Sequence, residues 1–225
     1  TIINMEWSLT PRSVWRLNDL GKRVLVLGNN NFRFHQMDMF APILSGLMEK
    51  AGFQVTLTQD LNDLAKERIG AFAIFLCYYT GGKLTREQLQ GLTSFVSSGR
   101  GFIGLHSAAD SFRENPGYLE LLGGVFRRHP RHQVFHIGVA DREHRITRGI
   151  PDFDVYDELY ILYHDPKRYH LLLYCPWEGE EQPVAWTKEY GGGRVFYLSL
   201  GHTEEALTHP TFQEILRRGL RWVSP

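Results

Sequence analysis

Apolar positions along this chain alternate between two textures: short unbroken runs, and stripes that recur every third or fourth residue. Residues 23–27 form a run too brief and too continuous for an amphipathic helix, and they read as a buried strand. Met37, Phe40, Ile43, Leu44, Leu47 and Met48 then recur at helical spacing until Gly52 stops them. Residues 53–57 and 71–77 predict the next two strands. Thr85-x-x-Gln88 makes a capping box, with Leu84 and Leu89 at staple spacing, for a helix that carries Leu89, Leu92 and Val96 and ends at Gly99. Residues 102–105 give a further strand. Strands and helices in this order predict a three-layer, doubly wound, mostly parallel α/β fold of flavodoxin type.

Beyond that strand the run breaks at His106 into small residues, with a helix-friendly tail ending at Pro116. This is the pattern of a strand, a sharp turn and a helix, which lifts one side chain above the carboxyl edge of a parallel sheet. The C-terminal half predicts antiparallel additions. Residues 133–139 alternate, with Phe135, Ile137 and Val139 on one face and His136 on the other. Strands follow near 155–160, 170–173, 184–187 and 194–200, and Gly191-Gly-Gly193 reads as a hairpin turn before the last. A helix at 210–223 closes one domain of residues 22–225.

Residues 1–21 read as an arm with a short helix, capped at Thr10-Pro11 and striped by Val14 and Leu17. Trp7 and Trp15 are costly to leave in water, so the arm is expected to pack on the body or to join a homo-oligomer. Lys plus Arg and Asp plus Glu balance at 25 each, which gives no overall field for nucleic acid or an anionic membrane. No apolar run is long enough to cross a bilayer, and no basic segment followed by an apolar one opens the chain. Cys77 and Cys175 lie in apolar runs without a CxxC partner, so free thiols in a reducing cytoplasm are expected.

Gly99-x-Gly101-x-x-Gly104 matches the dinucleotide fingerprint by letter, but these glycines enter a strand where the fingerprint must leave one. The raised position of the sharp turn holds His106, with Ser107 beside it. His106 reads as a ligand, a general acid–base group or a core histidine; Ser107 reads as a nucleophile only if a base reaches it, and otherwise as a small turn residue. In His202-Thr203-Glu204, the carboxylate is placed to orient the imidazole, or simply to open a helix turn. His35 follows the first strand beside Asn29–Asn31, in a loop of the kind that faces a ligand cleft. His129, His132 and His136 have metal-like spacing, but Pro130 keeps one helix from presenting all three. Two of them could instead join His35, His106 or His202 across a cleft. Asp157-Glu158-Leu-Tyr160 and Trp186 place carboxylates near aromatic faces, as sugar sites do, although both aromatics also suit a core.

Taken together, Gly101–Asp110, Asn115-Pro-x-Tyr118 through Phe126 with His129-Pro130, and Gly149-Ile-Pro-Asp-Phe153 resemble the ThuA-like (trehalose utilisation) family. Asp157-Glu158-Leu-Tyr160, Pro183-Val-Ala-Trp186 and Gly193 through His202 continue the resemblance in order. It implies a class I glutamine amidotransferase-like fold. Amidotransferases carry a cysteine where this chain has His106, and their His-Pro-Glu resembles His202-Thr203-Glu204, so glutamine hydrolysis by a thiolate is not expected. Many members have His-Asp-Trp where this chain has His35-Gln36-Met37, and a His-Pro pair where it has His144-Arg145.

The resemblance points to a sugar ligand: trehalose, related glucosides or keto-sugars. For an enzyme, His106 and His202 are the expected proton-transfer groups with Glu204 orienting His202. His35, Ser107, Asp110, His129, Glu158, Tyr160 and Trp186 are then the expected substrate contacts. The only cofactor expected is a divalent metal, with His35, His106 and His202 as candidate ligands. The alternative is a non-catalytic binding or assembly module on a degenerate amidotransferase scaffold, without an open pocket between His106 and His202.

Overall fold

The unbroken apolar runs sit at the centre of a sheet because both of their faces are covered. The computed structural model describes residues 22–225, and the arm predicted for residues 1–21 lies outside them. Strand β1 (Arg23–Gly28) leads to α1 (Met37–Lys50), β2 (Gln54–Thr58), a 3₁₀ turn at Leu61–Leu64, the short α2 (Lys66–Ile69), β3 (Ile74–Tyr78), α3 (Arg86–Ser97) and β4 (Gly101–Leu105). A 3₁₀ turn at His106–Asp110 and α4 (Pro116–Leu122) follow. The last strand, β11 (Gly193–Leu198), pairs in parallel with β4, so β2-β1-β3-β4-β11 is a parallel block in flavodoxin-like order.

Successive side chains of a strand point to opposite faces. Val24 and Val26 therefore meet α1 and the C-terminal helices α5 (Glu204–Thr208) and α6 (Pro210–Val223), while Leu25 and Leu27 meet the layer containing α3 and α4. Phe212, Ile215, Leu216 and Leu220 of α6 are fully buried, each contributing about 1.5–3 kcal/mol by removal from water. The capping box of α3 forms as expected, Thr85 Oγ1 accepting from Gln88 N–H and Gln88 Oε1 from Thr85 N–H. The glycines of the false fingerprint serve packing: a Cβ on Gly104 would lie 2.4 Å from Leu122 Cδ1.

Beyond the parallel block the sheet continues through β10 (Glu180–Tyr190), β9 (His170–Trp177), β6 (Gln133–Val139) and β7 (Phe153–Asp157), all antiparallel to their neighbours. Only Gly138 and Val139 of β6 pair with β9, so most of the β6–β7 ribbon extends beyond the pairing with the rest of the sheet. Its end returns to the carboxyl edge: Asp157 accepts N–H bonds from Gly201 (2.6 Å), His202 (2.9 Å) and Thr203 (3.0 Å).

Several local expectations change. Pro116 opens α4 at its first turn, where a missing N–H costs nothing, and does not end a helix begun at His106. The strand expected at 155–160 breaks at Glu158, because its residues leave β7 for the site before β8 (Ile161–His164) begins. β5 (Gly124–Arg128), which pairs with β8 as a separate ribbon, has no clear periodic signal in the sequence. No helix among the described residues is long and apolar enough to cross a membrane.

Candidate metal centre

Four segments deliver one side chain each to the carboxyl edge. The loop after β1 is pinned at its ends, Met37 N–H bonding Asn29 O (3.0 Å) and Asn29 Nδ2 bonding Thr80 O (2.9 Å), and this brings His35 inward. His106 leaves β4 at the sharp turn, with its carbonyl held by the Tyr197 hydroxyl (3.0 Å). His202 follows β11 on the loop anchored by Asp157, and Tyr78 Oη donates to Gly201 O in the same loop (2.5 Å). Glu158 follows β7 directly after Asp157. His35 and His106 have left-handed backbones, φ 56° and φ 40°, a conformation that costs a non-glycine residue about 1–2 kcal/mol.

Their ring nitrogens converge. His35 Nε2 lies 2.7 Å from His202 Nδ1 and 2.9 Å from His106 Nε2, and the last two are 3.1 Å apart. Glu158 Oε2 completes the group at 3.2 Å from His202 Nδ1 and 3.4 Å from His106 Nε2. Each imidazole nitrogen has a single in-plane position, so protons can serve such contacts only pairwise. One cation takes all three lone pairs at once. The spacings are slightly tighter than the roughly 3.3 Å between ligands of a tetrahedral ion with bonds of about 2.0–2.1 Å.

The far side of each ring fixes its orientation. His106 Nδ1–H donates to the Ser199 carbonyl (2.6 Å), which leaves Nε2 as the lone-pair atom, and His35 Nδ1 is bonded to Thr80 Oγ1 (3.0 Å). Burial, reinforced by the neighbouring His106 and His202, lowers the His35 pKa to about 2, so the ring stays neutral. Burial works to raise the Glu158 carboxyl, but the facing imidazoles of His106 and His202 outweigh it and hold the group well below the usual carboxylate range.

A cavity of about 460 Å³ opens beside the cluster, lined by Phe34, His35, Asp110, Phe126, His129, His132, Glu158, Tyr160 and His202. Tyr160 packs its ring 4.2 Å from that of His106 and 4.4 Å from that of Phe126. Asp110 pairs with Arg113 (3.1 Å), yet burial raises its carboxyl above the ordinary value. His129 Nδ1 and His132 Nε2 approach the other oxygen of Glu158, at 2.9 and 3.1 Å.

The structure thus brings His35, His106, His202, Glu158, Asp110, Tyr160 and His129 together, and parts three expected residues from the site. Trp186 is fully buried under α4, donating Nε1–H to Leu122 O (3.0 Å), so it has no face for a ligand. Glu204 starts α5 behind the Thr203 cap and lines a small pocket on the other side of His35 and His202, while the carboxylate in contact with the His202 ring is Glu158. Ser107 is buried, and among the described residues its Oγ has no partner and no imidazole reaches it, which removes the support for the nucleophile reading. His136 points outward to Asp154 (2.7 Å), away from His129 and His132. Thr80, Phe34 and Phe126 were not expected, and Asp157, expected as a carboxylate beside a sugar, instead anchors the His202 loop. Their roles depend on partners distant in sequence, and only the position of Phe34 beside His35 offered a signal.

The sequence profile of the ThuA family, described as trehalose utilisation, matches residues 23–223. No curated protein sequence matches the chain. Among solved structures it is similar to a putative ThuA-like protein from Parabacteroides merdae, with a TM-score of 0.78 and 20% identity over 90% of this chain and 89% of that one. A putative ThuA-like protein from Bacteroides uniformis gives 0.78 and 20% over 97% and 95% of the two chains. The cytoplasmic protein STM1381 from Salmonella typhimurium LT2 gives 0.68 and 11% over 90% and 100%. At these identities the likeness is one of fold.

Proposed function

Since the chain belongs to the ThuA family of trehalose utilisation, we propose that it processes a sugar at a divalent metal centre held by His35, His106, His202 and Glu158. Family membership ties the chain to carbohydrate metabolism; the metal and the reaction are the proposal. The observation that carries it is the convergence of three imidazole nitrogens, drawn from three loops, within 3.1 Å of one another. Two of those rings are tied from behind, by Thr80 and Ser199.

A metal held there supplies a Lewis acid that polarises a sugar hydroxyl or carbonyl. The chain's own groups do the rest. Lone pairs committed to a metal are not free to carry protons, so the acid–base role expected of His106 and His202 passes to Asp110. Its carboxyl, raised by burial, lies in the cavity wall where it can exchange a proton with a bound ligand. Phe34, half exposed at the mouth, and Phe126 offer apolar faces to the C–H side of a sugar ring, taking the place intended for Trp186. Trehalose, related glucosides and their keto derivatives are the ligands of choice, in a reducing cytoplasm that keeps the two buried thiols free.

The test is elemental analysis of the purified chain, followed by turnover of trehalose, glucosides and keto-sugars by wild type, chelator-treated protein and His106→Ala. A bound metal, with turnover lost on chelation and in the variant, is the expected result. A metal-free wild type that turns over none of them ends the proposal. The binding-module alternative requires His106 and His202 closed into hydrogen bonds with no open pocket; the two rings do stand 3.1 Å apart with His106 fully buried, but His202 opens on the cavity, which favours the ligand-handling reading.

A further inference from the structure

Glu158 is almost fully buried, its side chain 5% exposed, and it uses its two oxygens in different directions. Oε2 faces the nitrogens of His106 and His202, whereas Oε1 faces His129 Nδ1 at 2.9 Å and His132 Nε2 at 3.1 Å. The His132 ring stands 4.5 Å, centroid to centroid, from that of His202. One carboxylate therefore has a separate group of imidazole nitrogens on each oxygen. Two-metal sites set their ions about 3.5–4 Å apart across such a bridge.

We infer that His129 and His132, with Glu158 as the bridging carboxylate, form a second divalent-cation position next to the first. The inference rests on the metal centre proposed above and adds a site to it. His129 and His132 come from the short turn between β5 and β6 and are 43% and 36% exposed, so this position opens on the cavity and has few protein ligands. His129 Nδ1 also lies 2.8 Å from the Pro130 carbonyl, which accepts the ring proton when no cation is bound and stands near enough to offer an oxygen when one is. Two nitrogens with oxygens suit manganese, iron, cobalt or zinc. The vacant positions suit oxygens of the ligand, and two neighbouring ions favour a sugar that presents adjacent oxygens, a diol or a hydroxy-ketone. The position is weaker than the first, since it has two exposed imidazoles where the first has three rings packed in the fold.

The test uses the full chain stripped of metal and reloaded with Mn2+ or Zn2+, read by equilibrium dialysis and, for Mn2+, by electron paramagnetic resonance. Two ions per chain are expected, the second at least tenfold weaker, with an exchange-coupled Mn2+ spectrum. His129→Ala/His132→Ala changes only exposed side chains and should reduce the count to one and abolish the coupling. Glu158→Gln should abolish the coupling and weaken both positions. A wild type that binds one ion overturns the second position and leaves the first standing, with His129 and His132 then acting only as polar neighbours of Glu158. Two uncoupled ions, or a double variant that binds as many as wild type, also overturn it. A wild type that binds no ion ends both proposals.

Discussion

Replacing His35 by alanine and by glycine separates the ring from the backbone that carries it. Both substitutions remove the same imidazole and its bond to Thr80, so their difference reports the left-handed conformation at φ 56°. Alanine there bears the clash of its Cβ with the following carbonyl, about 1–2 kcal/mol. Glycine avoids the clash but gains unfolded-state entropy worth about 0.4–1 kcal/mol, which offsets part of the advantage. The net expectation is that metal-free His35→Gly is more stable than His35→Ala by about 0.5–1 kcal/mol, or a few degrees in Tm for a chain of this size. Gln90, exposed in the middle of α3, is the control. There the order reverses, glycine falling below alanine by about 1 kcal/mol. Urea unfolding of the four variants reads both differences. If His35→Ala equals or exceeds His35→Gly while the control behaves, the left-handed placement of this ring is wrong, and so is the argument that the site stores strain.

Other consequences follow from single contacts. Asp157→Asn turns one acceptor into a donor facing backbone N–H groups, and should lower stability by about 2 kcal/mol in urea titration while weakening metal affinity through the His202 loop. Trp186→Phe should cost about 1–2 kcal/mol by orphaning the Leu122 carbonyl but leave sugar affinity unchanged by calorimetry; weaker sugar binding would restore Trp186 to the site. Burial pushes the Cys77 thiol to about 11 from 9.0. The unfolded chain then loses this proton first as pH rises. Its contribution to stability is constant below pH 9 and falls by about 1.4 kcal/mol per unit from there to pH 11. Cys77→Ala should flatten that part of a pH series of melting curves, and an unchanged slope would refute the assignment.

The parallel half of the fold is legible because its strands are covered on both faces, so the runs at 23–27 and 71–77 need no partner information to be recognised as strands. His35, His106 and His202 are legible for a related reason: each follows a strand of the parallel block, and the carboxyl ends of such strands share one edge. Glu158 is different. It reaches that edge only because β6 pairs with β9 through two residues and its ribbon then turns back. No local pattern encodes that turn. Glu204 was the nearer carboxylate in sequence, but the Thr203 cap commits its segment to the first turn of α5, and the ring contact goes to Glu158. Trp186 shows the same failure for an aromatic: burial against Gly123 and Gly124 depends on α4, more than sixty residues away.

The sharp turn at His106 now has a physical purpose that its missing nucleophile obscured. A nucleophile at such a turn must be exposed and activated, whereas His106 is fully buried and held by Ser199 on one side and Tyr160 on the other. What the turn supplies is direction. It aims Nε2 at the point where the loops after β1 and β11 aim theirs, and it does so at φ 40°, a backbone that favours glycine. Strain of this kind persists only where the surroundings over-determine it. Here the Tyr197 hydroxyl fixes the carbonyl of His106 while Ser199 fixes its ring, so backbone and side chain are constrained independently. A buried imidazole needs a partner for its N–H in any role, but fixing the carbonyl as well leaves Nε2 a single direction. Three rings brought within 3.1 Å of one another present three nitrogens to one point, and the cation proposed above would satisfy them together.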